Sequence, residues 1–396
     1  MPDPMLSVAE ALARVLALIA PVGVEEVALR HASGRVLART LTARRTQPPV
    51  PVSAMDGYAL RAADAQPGAS LRLIGTAQAG DGFDGTLGAG EAVRIFTGAP
   101  LPDGADTILI QEVAAADGPR IAAAVQPEPG QHIRPAGGDF HAGATIDAPQ
   151  RIGPHLLALM AAMNIERVPV ARRPVIALIP TGDELVWPGT EPGRHQIVTS
   201  NNFGLAALLE QAGAQPRLLP IARDVPEALR AALSLAEGAD MIVTLGGASV
   251  GAYDLVQQVF VAAGMALDFW RIAMRPGKPL MAGRIGGVPM VGLPGNPVSA
   301  MVCGHLFLRP AIDAALGLPA GPLARQTALL DTDLGANGPR EHYMRAELRK
   351  GRIRPFERQD SSLLTVLARA NALMIRPPHQ PALSAGTRME YVSLDL

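Results

Sequence analysis

Residues 175–189 read VIALIPTGDELVWPG. The first five residues are apolar and mostly branched, which predicts a strand that is buried on both faces of a sheet. The run ends in Thr181-Gly182-Asp183-Glu184, where two adjacent carboxylates follow a turn. A buried strand that finishes in carboxylates predicts a polar site at its carboxyl end.

The pattern that follows this strand is α/β. Further apolar strands are predicted at 217–221, 241–245 and 290–293, with helices at 205–212 and 226–235. Strands that alternate with helices predict a doubly wound parallel sheet with right-handed crossovers and helices on both faces.

The loops after these strands carry polar and glycine-rich motifs. In an open parallel sheet, ligands bind beyond the carboxyl ends of the strands, so all four loops are predicted to lie on one edge. Glycines let backbone N–H groups approach an anion, and a helix that starts at a proline presents free N–H groups to one. The loop motifs are Thr181 to Glu184, Arg223-Asp224, GGASVGAYD (246–254) and LPGNPVSA (293–300).

Charged residues near this edge suggest the chemistry of a ligand. Arg271, Arg275 and Lys278 in RIAMRPGKP supply positive charge. Glu184, Asp224 and Asp254 are hard oxygen ligands of the kind that hold Mg²⁺ beside phosphates. The combination predicts a phosphorylated ligand bridged by a metal ion.

Each motif also has a purely structural interpretation. An Asp-Glu pair after a strand is commonly a solvated turn or a helix cap. GGASVG matches neither a Walker A loop nor G-x-G-x-x-G, and a plain turn explains it equally well. The basic residues could form a solvated face. The coincidence of four loops on one predicted edge favours the functional interpretation.

Composition excludes several classes of protein. The 35 Lys and Arg residues balance the 36 Asp and Glu residues, so no basic excess drives binding to nucleic acid or anionic membrane. A single cysteine, Cys303, rules out a disulfide framework within the chain and suits a reducing cytosol. No stretch reaches the ~20 apolar residues of a membrane span, and 8–19 reads as an amphipathic helix capped by Ser7 and Glu10.

The 396 residues predict two to four domains. Residues 46–140 are dense in glycine and proline, with short alternating strands, and predict a β-rich inserted domain. The segments before and after this insertion, 1–45 and 141–172, have similar patterns of predicted helix and strand. The α/β pattern covers 173–323, and the short strands of 324–396 predict a small β-barrel.

Seven motifs give the chain a resemblance to a known family. Their order is that of the molybdopterin molybdenumtransferases, the bacterial enzymes similar to the C-terminal part of gephyrin, and the likeness runs from about residue 7 to the C-terminus. The motifs are PVSAMDGYAL (51–60), FTGAPLPDGAD (96–106), PTGDELVWPG (180–189), SNNFGLAALLEQAG (200–213), GGASVGAYD (246–254), RPGKP (275–279) and LPGNPVSA (293–300).

The resemblance implies a cytoplasmic, elongated homodimer of four-domain subunits, in which 1–45 with 141–172 forms a linker and dimerisation domain. The α/β domain would resemble the molybdopterin adenylyltransferases. The implied reaction takes adenylylated molybdopterin and molybdate, releases AMP and leaves molybdenum on the dithiolene, with Mg²⁺ assisting. The adenylyltransferase and downstream molybdoenzyme maturation proteins are the implied partners.

The resemblance also implies roles for individual residues. Glu184, Asp224 and Asp254 would be acidic cleft positions that hold Mg²⁺. Asp139 would be a further acidic position in the cleft. Asp56 and Thr97 belong to the second domain and would complete the partner's cleft. Positions implied to bind the substrates are Thr97, Gly246, Gly247, Ser249, Gly251, Arg271, Arg275, Lys278, Pro294, Asn296 and Ser299.

The chain departs from the family pattern at a few positions. Leu245 stands where a serine often precedes the two glycines, and Arg271 and Arg275 stand where lysine is frequent. Arginine keeps the charge but presents a planar fork, so the anion geometry differs. Asp360 stands where glycine is common, beside Ser361 and Ser362.

Two alternative functions are also compatible with these motifs. A scaffold or carrier would bind the pterin without turnover, although it has no need of an uncompensated acidic set. A nucleotidyl transferase would adenylylate free molybdopterin, although the adenylyltransferases resemble the α/β domain alone. The sequence does not distinguish molybdate from tungstate.

Overall fold

The structure is a computed structural model that describes residues 5–246 and 258–394. The chain divides into two compact units. The larger unit comprises Met1–Glu25, Gly34–Ala38 and Pro169–Leu396, and the smaller comprises Glu26–Ser33 and Arg39–Val168. The chain passes between the two units four times, after Glu25, Ser33, Ala38 and Val168, and the first and last of these points lie within the strands Val24–Ala28 and Arg167–Ala171.

A six-stranded sheet forms the centre of the larger unit. The first four strands in sheet order are parallel, which confirms the predicted parallel core, and the last two each pair antiparallel with the preceding strand. The antiparallel addition follows from a hairpin at Gly286-Gly287, a pair with positive φ that suits a tight turn. In sheet order the strands are Gln215–Leu218, Val175–Pro180, Met241–Leu245, Val288–Leu293, Met281–Ile285 and Ala266–Trp270.

Helices cover both faces of this sheet, as predicted. Ile176 and Leu178 contribute to the core on one face, whereas Ala177 and Ile179 contribute to the core on the other. Because successive side chains of a strand point to opposite faces, burial on both sides requires a continuous apolar run. The first face carries Val8–Ala17, Asn201–Ala212, Pro297–Cys303 and Arg309–Ala315, and the second carries Pro226–Leu235 and the helical residues 258–262.

Helix ends follow local sequence rules. Ser7 and Glu10 form the predicted capping box, and Gly213 ends its helix in the left-handed conformation. Between Pro297–Cys303 and Arg309–Ala315 the helix widens into a π-helical segment, Gly304–Leu308. The second predicted strand lies earlier, at Gln215–Leu218, because Pro220 has no N–H with which to continue the ladder.

Five strands near the C-terminus close into the predicted small barrel. Pairing of Glu341–Arg349 with Ala372–Arg376 completes the closure. The strand Met274–Arg275 joins the start of Glu341–Arg349 in parallel and so ties the RPGKP loop to the barrel. The barrel strands are Gln326–Leu330, Glu341–Arg349, Arg352–Pro355, Ala372–Arg376 and Arg388–Ser393, and a short helix, Leu364–Leu367, lies between the third and fourth.

The smaller unit is β-rich, as predicted. Its main sheet has six strands, and the unit also contains two-stranded pairs and the helix Pro154–Ala162. In sheet order the six strands are Thr107–Ile110, Gly57–Leu60, Glu91–Ile95, Ser70–Ala77, Arg120–Ala123 and Ala114–Asp117. The pairs are Val52–Ser53 with Ile133–Arg134 and Leu41–Thr42 with Thr145–Ile146.

The fold class predicted from the sequence is therefore confirmed: a multidomain chain with a central α/β domain, a β-rich insertion and a closing barrel. Among residues 5–246 and 258–394, no helix is long and apolar enough to span a bilayer.

Candidate active site at the carboxyl edge of the sheet

A cleft of about 1010 Å³ opens where the parallel strands end. The loops after all four parallel strands contribute to it, as the sequence predicts, although the third does so only through Gly246 among the described residues. The lining also includes residues 197–201. The predicted site residues that line the cleft are Glu184, Asp224, Gly246, Arg271, Lys278, Pro294 and Asn296.

Carboxylates gather on one side of the cleft. Burial raises the pKa of Asp224, and the charges of Asp183 and Glu184 raise it further. Asp224 Oδ1 is buried and has no hydrogen-bond partner among the described residues. The backbone N–H of Asp224 donates to Asp183 Oδ1 at 3.1 Å, which fixes the two loops side by side. An uncompensated acidic group of this kind favours binding of a cation.

Gly182 allows the Glu184 carboxylate to fold back over the turn. Its φ of +147° lies in a region that L side chains rarely adopt. A Cβ at this position would lie 2.5 Å from Glu184 Oε2. The glycine is thus required by the turn that delivers Glu184 to the cleft.

The floor of the cleft is formed where two strand ends meet. Gly246 has φ +109°, and a Cβ there would lie 2.4 Å from the carbonyl oxygen of Thr181. The Oγ1 atoms of Thr181 and Thr244 are buried and have no partner in the described part of the chain. Leu245 is buried and contributes no hydroxyl, in line with its departure from the family pattern.

The helix start at Pro297 forms another wall. Asn296 is its N-cap residue, and Asn296 Nδ2 donates to Ser361 Oγ at 3.0 Å. Ser299 is buried in the first turn and does not line the cleft. Ser362, which does line it, donates through its backbone N–H and its hydroxyl to Asp360 Oδ1 at 2.8 and 2.6 Å. Asp360 therefore shapes the loop that carries both serines.

Two cationic groups also line the cleft. Arg271 lines the cleft with a positive φ of 76°, and its Cζ lies 3.8 Å from the centroid of the Trp270 ring. Stacking on an indole holds a guanidinium in one plane. Lys278 lines the same cleft. Arg271 and Lys278 are thus the two predicted cations that the structure brings to the cleft itself.

Arg275 lies instead beside the barrel, in a cluster of cationic groups. Arg345 is fully buried there, and burial and the Arg275 charge lower its pKa to about 10. Burial lowers the pKa of His342 to about 3, and the charges of Arg275, Arg345, Arg376 and Arg340 add to the effect. Arg345 Nε and Nη1 find no acceptor within the described residues.

Sequence reasoning missed Arg345. It stands in HYMRAELRKG, which carries a strand pattern and several basic residues, so nothing local distinguishes it. Its Nη2 donates to the carbonyl oxygen of Asp360 at 3.0 Å, in the loop that places Ser362 at the cleft. Burial of an arginine with two unused N–H groups favours binding of an anion.

The remaining predicted residues are distributed as follows. In the smaller unit, Thr97 donates to Asp56 Oδ1 through its N–H and its hydroxyl at 2.8 and 2.7 Å, and these bonds lower the pKa of Asp56. Asp139 is exposed in the same unit, and its N–H donates to the carbonyl of Gln47. Four predicted residues lie outside the described ones, namely Gly247, Ser249, Gly251 and Asp254.

No group of three His, Cys, Asp or Glu side chains that could hold a metal is found among the described residues. Glu184 and Asp224 still suit Mg²⁺, because this ion is usually bound by one or two carboxylates together with substrate phosphates. The buried, unpartnered Oδ1 of Asp224 is the observation that fits a cation there.

Fold and cleft together define a multidomain α/β protein with a polar ligand-binding cleft at the carboxyl edge of its sheet. Family models match in three consecutive segments. Residues 6–164 match the MoeA N-terminal region (domain I and II), 177–314 match a probable molybdopterin binding domain, and 327–394 match the MoeA C-terminal region (domain IV).

Individual proteins match over nearly the whole chain. Molybdopterin molybdenumtransferase 2 of Mycobacterium tuberculosis is 36% identical over 378 residues, which cover 92% of this chain and 93% of that protein. The molybdopterin molybdenumtransferase of Nostoc sp. is 36% identical over 381 residues, which cover 91% of this chain and 87% of that protein. A crystal structure of the molybdopterin biosynthesis moea protein from Pyrococcus horikosii superposes with a TM-score of 0.85 at 29% identity. The match covers 98% of this chain and 99% of that one.

The chain belongs to the molybdopterin molybdenumtransferase family. It is therefore a transferase of molybdenum cofactor biosynthesis.

Proposed function

We propose that this protein inserts molybdenum from molybdate into adenylylated molybdopterin and releases AMP. The observation that carries the proposal is that one cleft brings together the carboxylates of Glu184 and Asp224 and the cations Arg271 and Lys278, and that Asp224 Oδ1 has no partner within the described residues. Adenylylated molybdopterin contains a pyrophosphate-type bond, and molybdate is a tetrahedral dianion. Both substrates are anionic, and the first is commonly bound together with a divalent cation.

The acidic side is proposed to hold Mg²⁺. The carboxylates of Glu184 and Asp224 would be ligands of the ion. Asp254, which lies outside the described residues, would be a third ligand. When bound, the ion would neutralise charge on the phosphate oxygens next to the bond that breaks. The carboxylates fix the position of the phosphates relative to the floor of the cleft. Gly246 and Asn296 would support the same phosphates through backbone N–H groups.

The cationic side is proposed to bind molybdate. Lys278 and Arg271 lie at the cleft, and Arg345 and Arg275 lie beside it at the barrel. The Arg345 N–H groups that lack acceptors among the described residues would donate to the oxygens of a dianion. Molybdate held on this side would be close to the dithiolene of a pterin whose phosphate is on the acidic side.

The proposal extends to the assembly and its surroundings. A cytoplasmic homodimer is proposed, in which Asp56 and Thr97 of one subunit complete the cleft of the other. The molybdopterin adenylyltransferase would supply the substrate, and molybdoenzyme maturation proteins would receive the product.

The test is AMP release from adenylylated molybdopterin with Mg²⁺, in the presence and absence of molybdate. Molybdate-dependent release is expected from the unaltered protein. Asp224→Asn should reduce kcat/KM by ~100-fold or more, because a charge that acts on the reacting phosphates is lost. The control is Glu237→Gln, an exposed carboxylate away from the cleft, which should retain full activity. Tight binding without AMP release would refute the proposal and favour a carrier.

A further inference from the structure

Arg223 makes an unusual set of contacts beside the acidic side of the cleft. Its Nη1 donates to the carbonyl oxygen of Asp183 at 2.6 Å, with longer bonds to the carbonyl oxygens of Leu185 at 3.4 Å and Gly182 at 3.5 Å. Three carbonyls of one turn thus converge on a single guanidinium nitrogen. The turn they belong to carries Glu184 at its centre.

The contacts of Arg223 are with backbone, not with the carboxylates around it. Among the described residues, no ion pair joins Arg223 to Asp183, Glu184 or Asp224. An arginine that paired with these groups would neutralise them and compete with a bound cation. By using carbonyl oxygens, Arg223 orders the turn and leaves the carboxylate oxygens available.

Backbone bonds hold the base and the exit of the turn, and the Asp224 N–H donates to Asp183 Oδ1 between them. Gly182 N–H donates to the carbonyl of Ala222 at 3.1 Å, and Ile197 N–H donates to the carbonyl of Glu184 at 2.8 Å. The carbonyls of Asp183 and Leu185, on either side of Glu184, have Arg223 as their side-chain donor. Without Arg223, the carbonyls on either side of Glu184 would lose their side-chain donor, and the Glu184 carboxylate would be freer to move relative to Asp224.

We infer that Arg223 is a positioning residue that holds the Gly182–Leu185 turn so that Glu184 and Asp224 can bind one divalent cation together. This inference rests on the proposed function for the role of the cation. Arg223 itself contacts neither substrate nor metal in this scheme. Its effect should therefore appear as weaker metal affinity, not as a loss of fold.

The test uses Mn²⁺ as a paramagnetic substitute for Mg²⁺ and the full-length protein. Three variants are compared: Arg223→Met, Arg223→Lys, and the control Arg230→Met, an exposed arginine paired with Glu227 on the next helix. Electron paramagnetic resonance gives the Mn²⁺ affinity, and hydrogen exchange gives the protection of the amides at 182–186. The Tm verifies folding.

Arg223→Met should weaken Mn²⁺ binding by ~10-fold, as expected for loss of a group that orients metal ligands, and should speed amide exchange in the turn. Arg223→Lys should restore part of the affinity, because an ammonium can still reach the Asp183 carbonyl. In the AMP-release assay, the metal concentration for half-maximal rate should rise, while the rate at saturating metal should recover. A residue needed only for folding would lower the rate at all metal concentrations.

Unchanged Mn²⁺ affinity or unchanged exchange in Arg223→Met would overturn the inference, as would absence of Mn²⁺ binding to the unaltered protein. Molybdate-dependent AMP release by the unaltered protein is measured separately. Its absence would overturn the proposed function, while the metal affinities and exchange rates would still decide the role of Arg223.

Discussion

At the scale of single residues, the half-buried Asp224 and the buried Arg345 oppose stability. Among the described residues, Asp224 Oδ1 has no hydrogen-bond partner, and the Nε and Nη1 atoms of Arg345 have no acceptor. Burial of a charge without a partner is unfavourable, and hydrophobic replacements of buried charges are often neutral or stabilising. Retention of such groups supports the proposed cation and anion, which would satisfy them.

Arg345→Met should separate stability from binding. The pKa of Arg345 is lowered to about 10 because its charged form is unfavourable in the fold, so removal of the charge should leave Tm unchanged or higher. The molybdate concentration for half-maximal AMP release should rise by ~10- to 100-fold, which corresponds to loss of charge-assisted hydrogen bonds of about 1.5–3 kcal/mol.

The control for this substitution is Arg349→Met, which removes an exposed arginine from the same strand. It should alter neither Tm nor the molybdate dependence. A large fall in Tm for Arg345→Met, with unchanged molybdate dependence, would show that Arg345 is structural.

Gly246→Ala should disrupt the floor of the cleft. Its φ of +109° strains any L residue, and the new Cβ would lie 2.4 Å from the Thr181 carbonyl, so the strand ends must separate. Gly264→Ala is the matched control, because its φ is +91° but no atom lies within 4 Å of its Cβ. Strain of ~1–2 kcal/mol is expected in both.

Only Gly246→Ala should lose AMP release, and its Tm should fall further than that of Gly264→Ala. Thermal unfolding and the activity assay measure the two effects. Equal activity in both variants would mean that the two strand ends do not form the floor of the site.

At the scale of elements, the π-helical segment Gly304–Leu308 places His305 in the core. Burial lowers its pKa to about 4, with a contribution from the Arg309 charge, and its Nδ1 has no partner among the described residues. Above pH 6.5 His305 is neutral in both the folded and the unfolded chain. Between about pH 6.5 and 4, only the unfolded chain binds the proton, so the free energy of unfolding falls as the pH falls.

The pH dependence can be followed by tryptophan fluorescence, since Trp187 and Trp270 are the only tryptophans and both belong to the larger unit. Urea unfolding at pH 7.5 and 5.5 should show lower stability at the lower pH, by up to about 1.4 kcal/mol per pH unit for each such histidine. His342, with its pKa lowered to about 3 among Arg275, Arg340, Arg345 and Arg376, acts in the same direction.

His305→Leu should reduce this slope, whereas His195→Gln, an exposed histidine of the same unit, should leave it unchanged. A slope in His305→Leu equal to that of the unaltered protein would contradict the assignment of the acid sensitivity to His305.

The elements that the sequence predicts well are those with strong local signals. The helix Pro226–Leu235 begins and ends where its pattern indicates, and Val175–Pro180 is the predicted buried strand. The antiparallel strands Met281–Ile285 and Ala266–Trp270 were not predicted, because their partners are decided by the sheet edge and not by their own residues.

At the scale of the whole molecule, the proposed homodimer makes a specific prediction about activity. If Asp56 completes the partner's cleft, a heterodimer of one Asp56→Asn subunit and one Asp224→Asn subunit has one intact cleft. Heterodimers purified with two different tags should then recover about half of the unaltered activity, although each parent dimer is inactive.

A heterodimer of Asp224→Asn with Glu184→Gln is the control. Both substitutions affect the cleft of the subunit that carries them, so neither cleft is intact and activity should remain low. Recovery of activity in this control, or no recovery in the heterodimer of Asp56→Asn with Asp224→Asn, would argue against a shared site.

The division of the chain into four domains remains a prediction from the sequence.

The sequence by itself determined the fold class, the strands and helices with strong local signals, and four of the loops at the cleft, because periodicity, caps and strand ends are local properties. Glu184 and Asp224 could be named because each follows a predicted strand directly. Only the tertiary structure identified Arg345 and the contacts that Arg223 makes. Arg345 is exceptional because barrel closure buries it, and Arg223 because it reaches the carbonyls of a turn about 40 residues away, and neither property exists until distant segments pack together.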